Sequence, residues 1–498
     1  MRILFLLHNV SKSRHFDSVL ETLAERGHSI VLAAARQRNR PLSLPKRLTL
    51  VNKRLIARDR PGRVEITACP TRRVDEWERL APALRQARDY LRMFDPRYAR
   101  AEKLAQRSAA STPRPWRQFI EEHPWVGERW RLASRVLRLA EAITPTDPLF
   151  DLFITYEHPD VVLITPLVDY GSYQTDYVKS AHRLGVPVVF VPFSWDNLTN
   201  RGLIRVEPDR VLVWNEIQKR EAVELHGVSP DRVIATGAPR FDAFFAMKLS
   251  ASRPEFCARA GLDPSSPFLL YVCSSEFVAP REVGFVERWI AELRRATDPR
   301  VRSCGVLVRP HPAHVKQWKD VALSAFPNVA LWSEPAAMNA DQGLYDSLHH
   351  CAGVVGLNTS AMIEAGILGR PVHTIVADEF AGGQAQTLHF EYLRAKNGGL
   401  VHEARDFAEH IEQLGRTLAP GTAEGEPARR FIEQFVRPRG RDLAVTPLMV
   451  EEIERAARIE KKQRRAPLWH HAARAAIRAA MALRRSPVQA HSTRRSDA

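Results

Sequence analysis

No two of the five cysteines are spaced as Cys-x-x-Cys, and no apolar run approaches the roughly 18 residues that cross a bilayer. The first absence excludes a disulfide framework and a zinc module. Cys69, Cys257, Cys273, Cys304 and Cys351 stand singly, as expected for a protein of the reducing cytoplasm. The second absence excludes a transmembrane helix. The opening run Ile3–Leu7 is also shorter than the roughly 7–15 apolar residues of an export signal. Paired carboxylates that would hold a metal are missing, and so is any recognisable nucleic-acid-binding module. What the chain does have is positive charge. A formal net charge of +16 over 498 residues fits anionic partners: nucleotide phosphates, acidic lipid headgroups, anionic glycans or nucleic acid.

At about 150 residues per domain the length implies two or three units. Strands at Ile3–Leu7 and Ser29–Ala34 flank a helix over Phe16–Arg26 whose Phe16, Val19, Leu20 and Leu23 share a face, which makes a β-α-β unit. Strand signals return at Val161–Thr165, Val188–Pro192, Arg210–Trp214 and Arg232–Thr236. Before them, residues 76–141 read as a helical insertion rich in Arg and Trp and broken by Pro113, Pro115 and Pro124. Residues 1–246 thus form a first domain. The stretch 247–267, with several breakers and no clear strand, reads as a linker. Residues 268–450 form a second domain with strands at Phe268–Cys273, Gly305–Arg309, Val329–Trp332, Gly353–Leu357 and Val372–Val376.

Strands alternating with helices in two successive blocks predict two parallel sheets. The expected architecture is α/β, two Rossmann-like domains facing a cleft. A basic tail, 451–498, carries Leu468, Trp469, Ala473, Ile477, Met481 and Leu483 as a loose stripe. It reads as a helix on an anionic membrane or, more plainly, as a solvated helix or disordered end.

Ligands of open α/β sheets sit at the carboxyl edge. At that edge of the second sheet Arg309-Pro310-His311-Pro312 offers a guanidinium fork and an imidazole suited to a diphosphate. A stiff turn is the alternative reading. Farther along, Asn358-Thr359-Ser360 opens a helix whose free N–H groups and positive end form an anion site. Glu364 lies one turn in, placed to accept from ribose hydroxyls or only to support the first turn. Ser274 and Ser275 follow the first strand of this domain, lining the donor side or capping a helix. Gly382–Phe390 follows its last strong strand as a mobile flap.

Transfer to an acceptor hydroxyl needs a base, and three first-domain loops offer one: His15, Asp169 and Asp196. The loop Phe193-Ser194-Trp195-Asp196-Asn197-Leu198-Thr199-Asn200 holds groups that pack on and hydrogen-bond to a sugar. An Asx-turn with Trp195 in the interdomain packing explains the same residues.

This alternation resembles the GT-B fold of many glycosyltransferases and of the non-hydrolysing UDP-N-acetylglucosamine 2-epimerases. Gly27-His28-Ser29-Ile30-Val31 and Thr236-Gly237-Ala238-Pro239-Arg240-Phe241-Asp242 look like its first helix end and its last first-domain turn. Arg309-Pro310-His311-Pro312 with Asn358-Thr359-Ser360 is similar to the His-Pro and Ser/Thr motifs of bacterial sialyltransferases and CDP-glycerol glycerophosphotransferases. The resemblance implies that His311, Thr359 and Ser360 contact donor phosphate. The sialyltransferases' acidic base motif and the epimerases' Gly-Thr-Arg-Pro-Glu opening are both absent.

The expectation is a transferase that needs no metal or other cofactor. It would move a sugar or polyol-phosphate from a nucleotide-sugar or CDP-polyol donor to a cell-surface glycan or lipid-linked acceptor, in the cytoplasm or on the inner face of the membrane, with no nucleic-acid partner. The rivals are a nucleotide-sugar 2-epimerase and a basic nucleic-acid-binding protein on the same scaffold.

Overall fold

Continuous apolar runs bounded by turns build two parallel sheets. The structure, a computed structural model, describes residues 1–36, 42–332, 340–394, 399–420, 426–460 and 462–485. The first sheet holds β1 (Arg2–Leu7), β2 (Ser29–Ala34), β3 (Arg63–Ala68), β4 (Val161–Thr165), β5 (Val188–Phe190), β6 (Arg210–Val213) and β7 (Val233–Ala235), in the order β3-β2-β1-β4-β5-β6-β7. The second holds β8 (Phe268–Val272), β9 (Gly305–Arg309), β10 (Val329–Leu331), β11 (Gly353–Gly356), β12 (Val372–Ile375) and β13 (Val401–Ala404), in the order β10-β9-β8-β11-β12-β13. The pairings are parallel, as in Ile3 opposite Ile30 and Val161, so the loops leaving each sheet's carboxyl edge gather on one side.

Side chains of β1 alternate between two cores. Ile3, Phe5 and Leu7 pack with Val19, Leu20 and Leu23 of the helix Asp17–Glu25. Leu4 and Leu6 pack with Phe150, Ile154 and Tyr177 on the opposite face. In the second sheet Leu270 and Val272 face Phe256 and Ile363, while Leu269 and Tyr271 face Trp289 and Ile290. Both faces of the central strands are therefore dry, which is why β1, β4, β8 and β11 are almost wholly apolar.

The insertion is helical as expected, with helices at Leu80–Leu91, Glu102–Ser111, Arg114–Glu122, Pro124–Glu128 and Trp130–Ile143. A buried ion network fastens it to the helix Gln174–Leu184 of the first domain. Arg85 donates to both carboxylate oxygens of Glu141, each at 3.0 Å, and to those of Asp176 at 2.7 and 2.8 Å. Arg73 also reaches Asp176, at 2.5 Å, and Lys179 reaches Glu141 at 3.2 Å.

Two expectations about connections fail. Residues 247–267 carry the helix Arg253–Ala260, started by a Ser252–Glu255 capping box, with Phe256 and Cys257 buried in the second domain's core. Ser252, Pro254 and Gly261 there start and end that helix, so the stretch between the two sheets is packed structure. The tail does not begin at 451 either. The helix Val445–Ala457 crosses back to lay Met449, Val450 and Ile453 against Val19, Leu20 and Leu23. Asp242 holds the crossing: it accepts from Arg437 Nη2 at 2.7 Å, from the backbone N–H groups of Val445 and Thr446 at 3.1 and 2.7 Å, and from Thr446 Oγ1 at 2.8 Å. Gly237 lets the chains approach. At its φ of +111° an added Cβ would collide with Val445 and the Val436 carbonyl. A further helix, Leu468–Arg485, follows, and residues 486–498 of the expected tail lie outside the described residues. Among the described residues no helix is long and apolar enough to cross a membrane.

Replacing Arg85 with Ala leaves Glu141 and Asp176 buried without their main countercharge, so stability should drop by about 3–5 kcal/mol. Urea unfolding of the variant checks this. A shift worth under about 1 kcal/mol, the value of an exposed pair, would show that the network does not anchor the insertion.

Candidate active site

The carboxyl edges of the two sheets face each other, and side chains join across the gap. Arg240, after β7, donates to Glu364 at 2.9 Å. Asn215, after β6, donates to the Phe435 carbonyl at 2.8 Å. Trp195, after β5, meets the edge of His389 with ring centroids 4.7 Å apart.

On the second-domain side the helix Ser360–Ile367 starts from Thr359 in extended conformation (φ −144°, ψ 152°), and the Thr359 side chain makes no cap hydrogen bond. The first-turn N–H groups thus lack the side-chain acceptor that usually closes a helix start, and Thr359 and Ser360 are only half-buried beside them. His311 is also half-buried. Its Nδ1 accepts from the Ala313 N–H at 3.1 Å, which places the neutral ring's proton on Nε2. Burial, His314 and Arg14 lower its pKa.

The other expected donor contacts make bonds within the protein, some through the side chain and some through the backbone. Arg309 donates to Ser347 Oγ at 3.1 Å and lies 4.7 Å over the Trp332 ring, so part of its fork is taken by its own domain. Asn358 donates to the Gly383 carbonyl at 2.8 Å and to His389 Nε2 at 3.2 Å, tying the loop to its neighbours, and its buried Oδ1 has no partner. Glu364 holds Arg240. Burial raises its carboxyl pKa and Arg240 opposes the rise. Ser274 is buried and its backbone N–H donates to Glu282 at 2.8 and 3.1 Å. It is a fixture under the loop, because Glu282 needs a donor there. The Ser275 carbonyl accepts from Val278 and Ala279 in a turn.

The expected flap over 382–390 is a packed strap. Gln384 is buried and its Nε2 donates to the carbonyls of Leu357 and Ile375 and to Thr374 Oγ1 within 3.0 Å, which ties the segment to the ends of two strands.

On the first-domain side Asp196 is partly buried. Burial acts to raise its pKa, but His389, Arg201 and hydrogen bonds from Ser194 and Asn200 outweigh it and hold the group ionised. Its loop is fixed by Asn197, whose Oδ1 accepts from the Phe193 and Ser194 N–H groups. Trp195 belongs to the interdomain core, as the Asx-turn alternative has it. Asp169 is paired with Arg201 and lies 3.3 Å from His8. It lines a cavity of about 450 Å³ together with Arg72, Arg79, Tyr170 and Tyr173. His15 is buried and stacked on Phe193 at 5.1 Å. Burial, with Arg240, Arg14 and Lys12, lowers its pKa to about 2, which makes it a poor general base.

Three cleft residues were passed over in the sequence. Lys12 sits 4.4 Å over the Phe193 ring, its pKa lowered by burial, Arg201 and Arg14. Arg14 is exposed and acts electrostatically on His311, Glu364 and His15. Among the described residues neither cation has an ion-pair partner. They lie on the loop after β1, where position at the carboxyl edge was the available signal. The third, His389, bridges Asn358 of one domain and Thr199 of the other, the latter at 3.5 Å. Burial lowers its pKa to about 4 against the pull of Asp196. Among the described residues no group of three or more His, Cys, Asp or Glu side chains could hold a metal ion.

No protein-family model matches the chain, and no curated protein matches it in sequence. A glycosyltransferase from Rickettsia africae ESF-5 is similar in structure, with a TM-score of 0.50 and 9% identity over 92% of this chain and 99% of its own. S. aureus MnaA, solved with UDP, is similar with a TM-score of 0.50 and 10% identity over 93% of this chain and 98% of its own. These likenesses show the fold, which is GT-B.

His389, His15 and His410 all bind protons more weakly than the ordinary value of 6.5, with pKa values lowered by burial to about 4, 2 and 3. The unfolded chain therefore protonates first. Their contribution to stability is intact above 6.5 and is lost as the pH falls toward the folded values, at about 1.4 kcal/mol per pH unit for each ring. Urea midpoints should fall between about pH 7 and about pH 5, and His389→Gln should make that dependence shallower by one proton. An unchanged slope in the variant would sink the assignment.

Proposed function

We propose that the chain is a metal-independent transferase that moves a sugar or polyol-phosphate from a nucleotide-activated donor to a cell-surface glycan or lipid-linked acceptor. One observation carries the reading: the uncapped start of the helix Ser360–Ile367 shares its cleft with His311, Lys12 and Arg14, and among the described residues neither of the last two makes an ion pair. A leaving nucleotide gains negative charge as its bond to the transferred group breaks. Donors already in place, with no ion pair to break first, stabilise that charge in the transition state. Helix N–H groups, the Thr359 and Ser360 hydroxyls, His311 Nε2–H and the two cations supply the donors, so no step requires a metal. The UDP bound by the similar S. aureus MnaA agrees with a nucleotide ligand.

The acceptor is assigned to the first-domain side, where the cavity beside Asp169 opens. Asp196 is ionised and is the base we assign to the acceptor hydroxyl. His15 binds a proton too weakly, and Asp169 is committed to Arg201 and His8. Glu364 positions Arg240 across the cleft.

Calorimetry against CDP, CMP, UDP and GDP identifies the nucleotide. Lys12→Gln and Arg14→Gln should each weaken the best ligand by about tenfold or more, the worth of a charge-assisted hydrogen bond. Unchanged affinity in both variants would remove the phosphate site from this cleft. Asp196→Asn should lower kcat by about a hundredfold or more and leave donor affinity unchanged, and full turnover would pass the base role to another group. Transfer releases free nucleotide and persists in EDTA. A product that keeps its nucleotide marks an epimerase instead.

A further inference from the structure

We propose that the insertion helices form a docking surface for an anionic lipid bilayer. Leu132, Val136 and Leu139 are 57%, 57% and 56% exposed. Spaced i, i+4 and i+7, they make one apolar stripe along the outer face of the helix Trp130–Ile143. Trp125, 52% exposed, and Phe119, 48% exposed, extend the apolar surface onto the preceding pieces. The guanidiniums of Arg131, Arg135 and Arg138 are exposed on the same helix. Its only carboxylate, Glu141, is buried and bound to Arg85. The neighbouring pieces carry Glu121, Glu122 and Glu128, so the basic character is that of this helix and not of the whole insertion.

A second basic element lies against it. In the helix Leu468–Arg485, Arg474 donates to the Ile143 carbonyl at 2.6 Å and Arg478 to Glu76 at 2.5 Å. The segment 462–485 contains Lys462, Arg464, Arg465, Arg474, Arg478, Arg484 and Arg485 and no acidic residue, and it exposes Leu468 and Trp469. The surface therefore combines aliphatic and aromatic side chains with arginines on two adjoining helices.

A bilayer matches both halves of that chemistry. Apolar side chains enter the boundary between headgroups and acyl chains, while guanidiniums stay at the level of the phosphates. A polynucleotide would use the arginines and leave the aliphatic row in water. The expected tail stripe has a lesser part, because the exposed apolar row lies mainly on the insertion. The proposal does not depend on the transferase reading, and its binding assay uses vesicles alone.

The full chain is sedimented with phosphatidylcholine vesicles and with vesicles that also contain phosphatidylglycerol. Binding is expected only to the latter. Leu132→Ser, Val136→Ser and Leu139→Ser combined should weaken it by about tenfold or more, and Arg131→Gln, Arg135→Gln and Arg138→Gln combined by roughly a hundredfold. Circular dichroism and the urea midpoint should stay unchanged in both variants, because these side chains are exposed. Equal binding to neutral vesicles, full binding by the serine variant, or self-association that the serine variant abolishes would each overturn the proposal, the last in favour of a second copy of this chain.

Discussion

One carboxylate sets the geometry on which the cleft depends. Asp242 follows the last strand of the first sheet and receives four hydrogen bonds from the chain returning out of the second domain. Both passages between the domains are thereby held near one point. Because four donors from the returning chain converge on one carboxylate, the clasp favours a fixed separation of the two sheet edges. Arg240, two residues earlier, can then reach Glu364, and the loop after β1 is held opposite the start of the helix Ser360–Ile367.

The cleft so formed divides its charges unevenly. Near the domain contact, polar groups answer one another: His389 with Asn358 and Thr199, and Asp169 with Arg201. Glu221 is the exception there: its carboxylate oxygens are buried without a hydrogen-bond partner, and burial raises its pKa to about 8. Toward the phosphate side that compensation ends, and among the described residues Lys12 and Arg14 make no ion pair. An anion placed there meets donors already oriented, whereas a cation would meet repulsion.

Much of the scaffold was legible because buried parallel strands announce themselves. β3 and β13 were not found: both lie at sheet edges and interrupt their apolar residues with Arg63, Glu65, His402 and Glu403. The open start of the helix at Ser360 could be read from the strand–Asn-Thr-Ser–helix order. Its neighbours could not. Arg309 and Ser274 occupy the expected edge positions, but their partners Ser347, Trp332 and Glu282 come from elsewhere in the chain. His389 gained its place only when two domains closed on it, a relation that no local pattern records. Lys12 and Arg14 were passed over for a different reason, since a histidine in the same loop was the more familiar candidate base.

The returning helix Val445–Ala457 also decides how the polypeptide can be divided. Its Met449, Val450 and Ile453 complete a core that begins at Ile3, so the first domain is assembled from both ends of the chain. A single scission after residue 246 would leave that core open on one side and strand an apolar helix on the other fragment. Separate production of the two halves therefore calls for a graft, with the last helix rejoined to the first domain by a new connection.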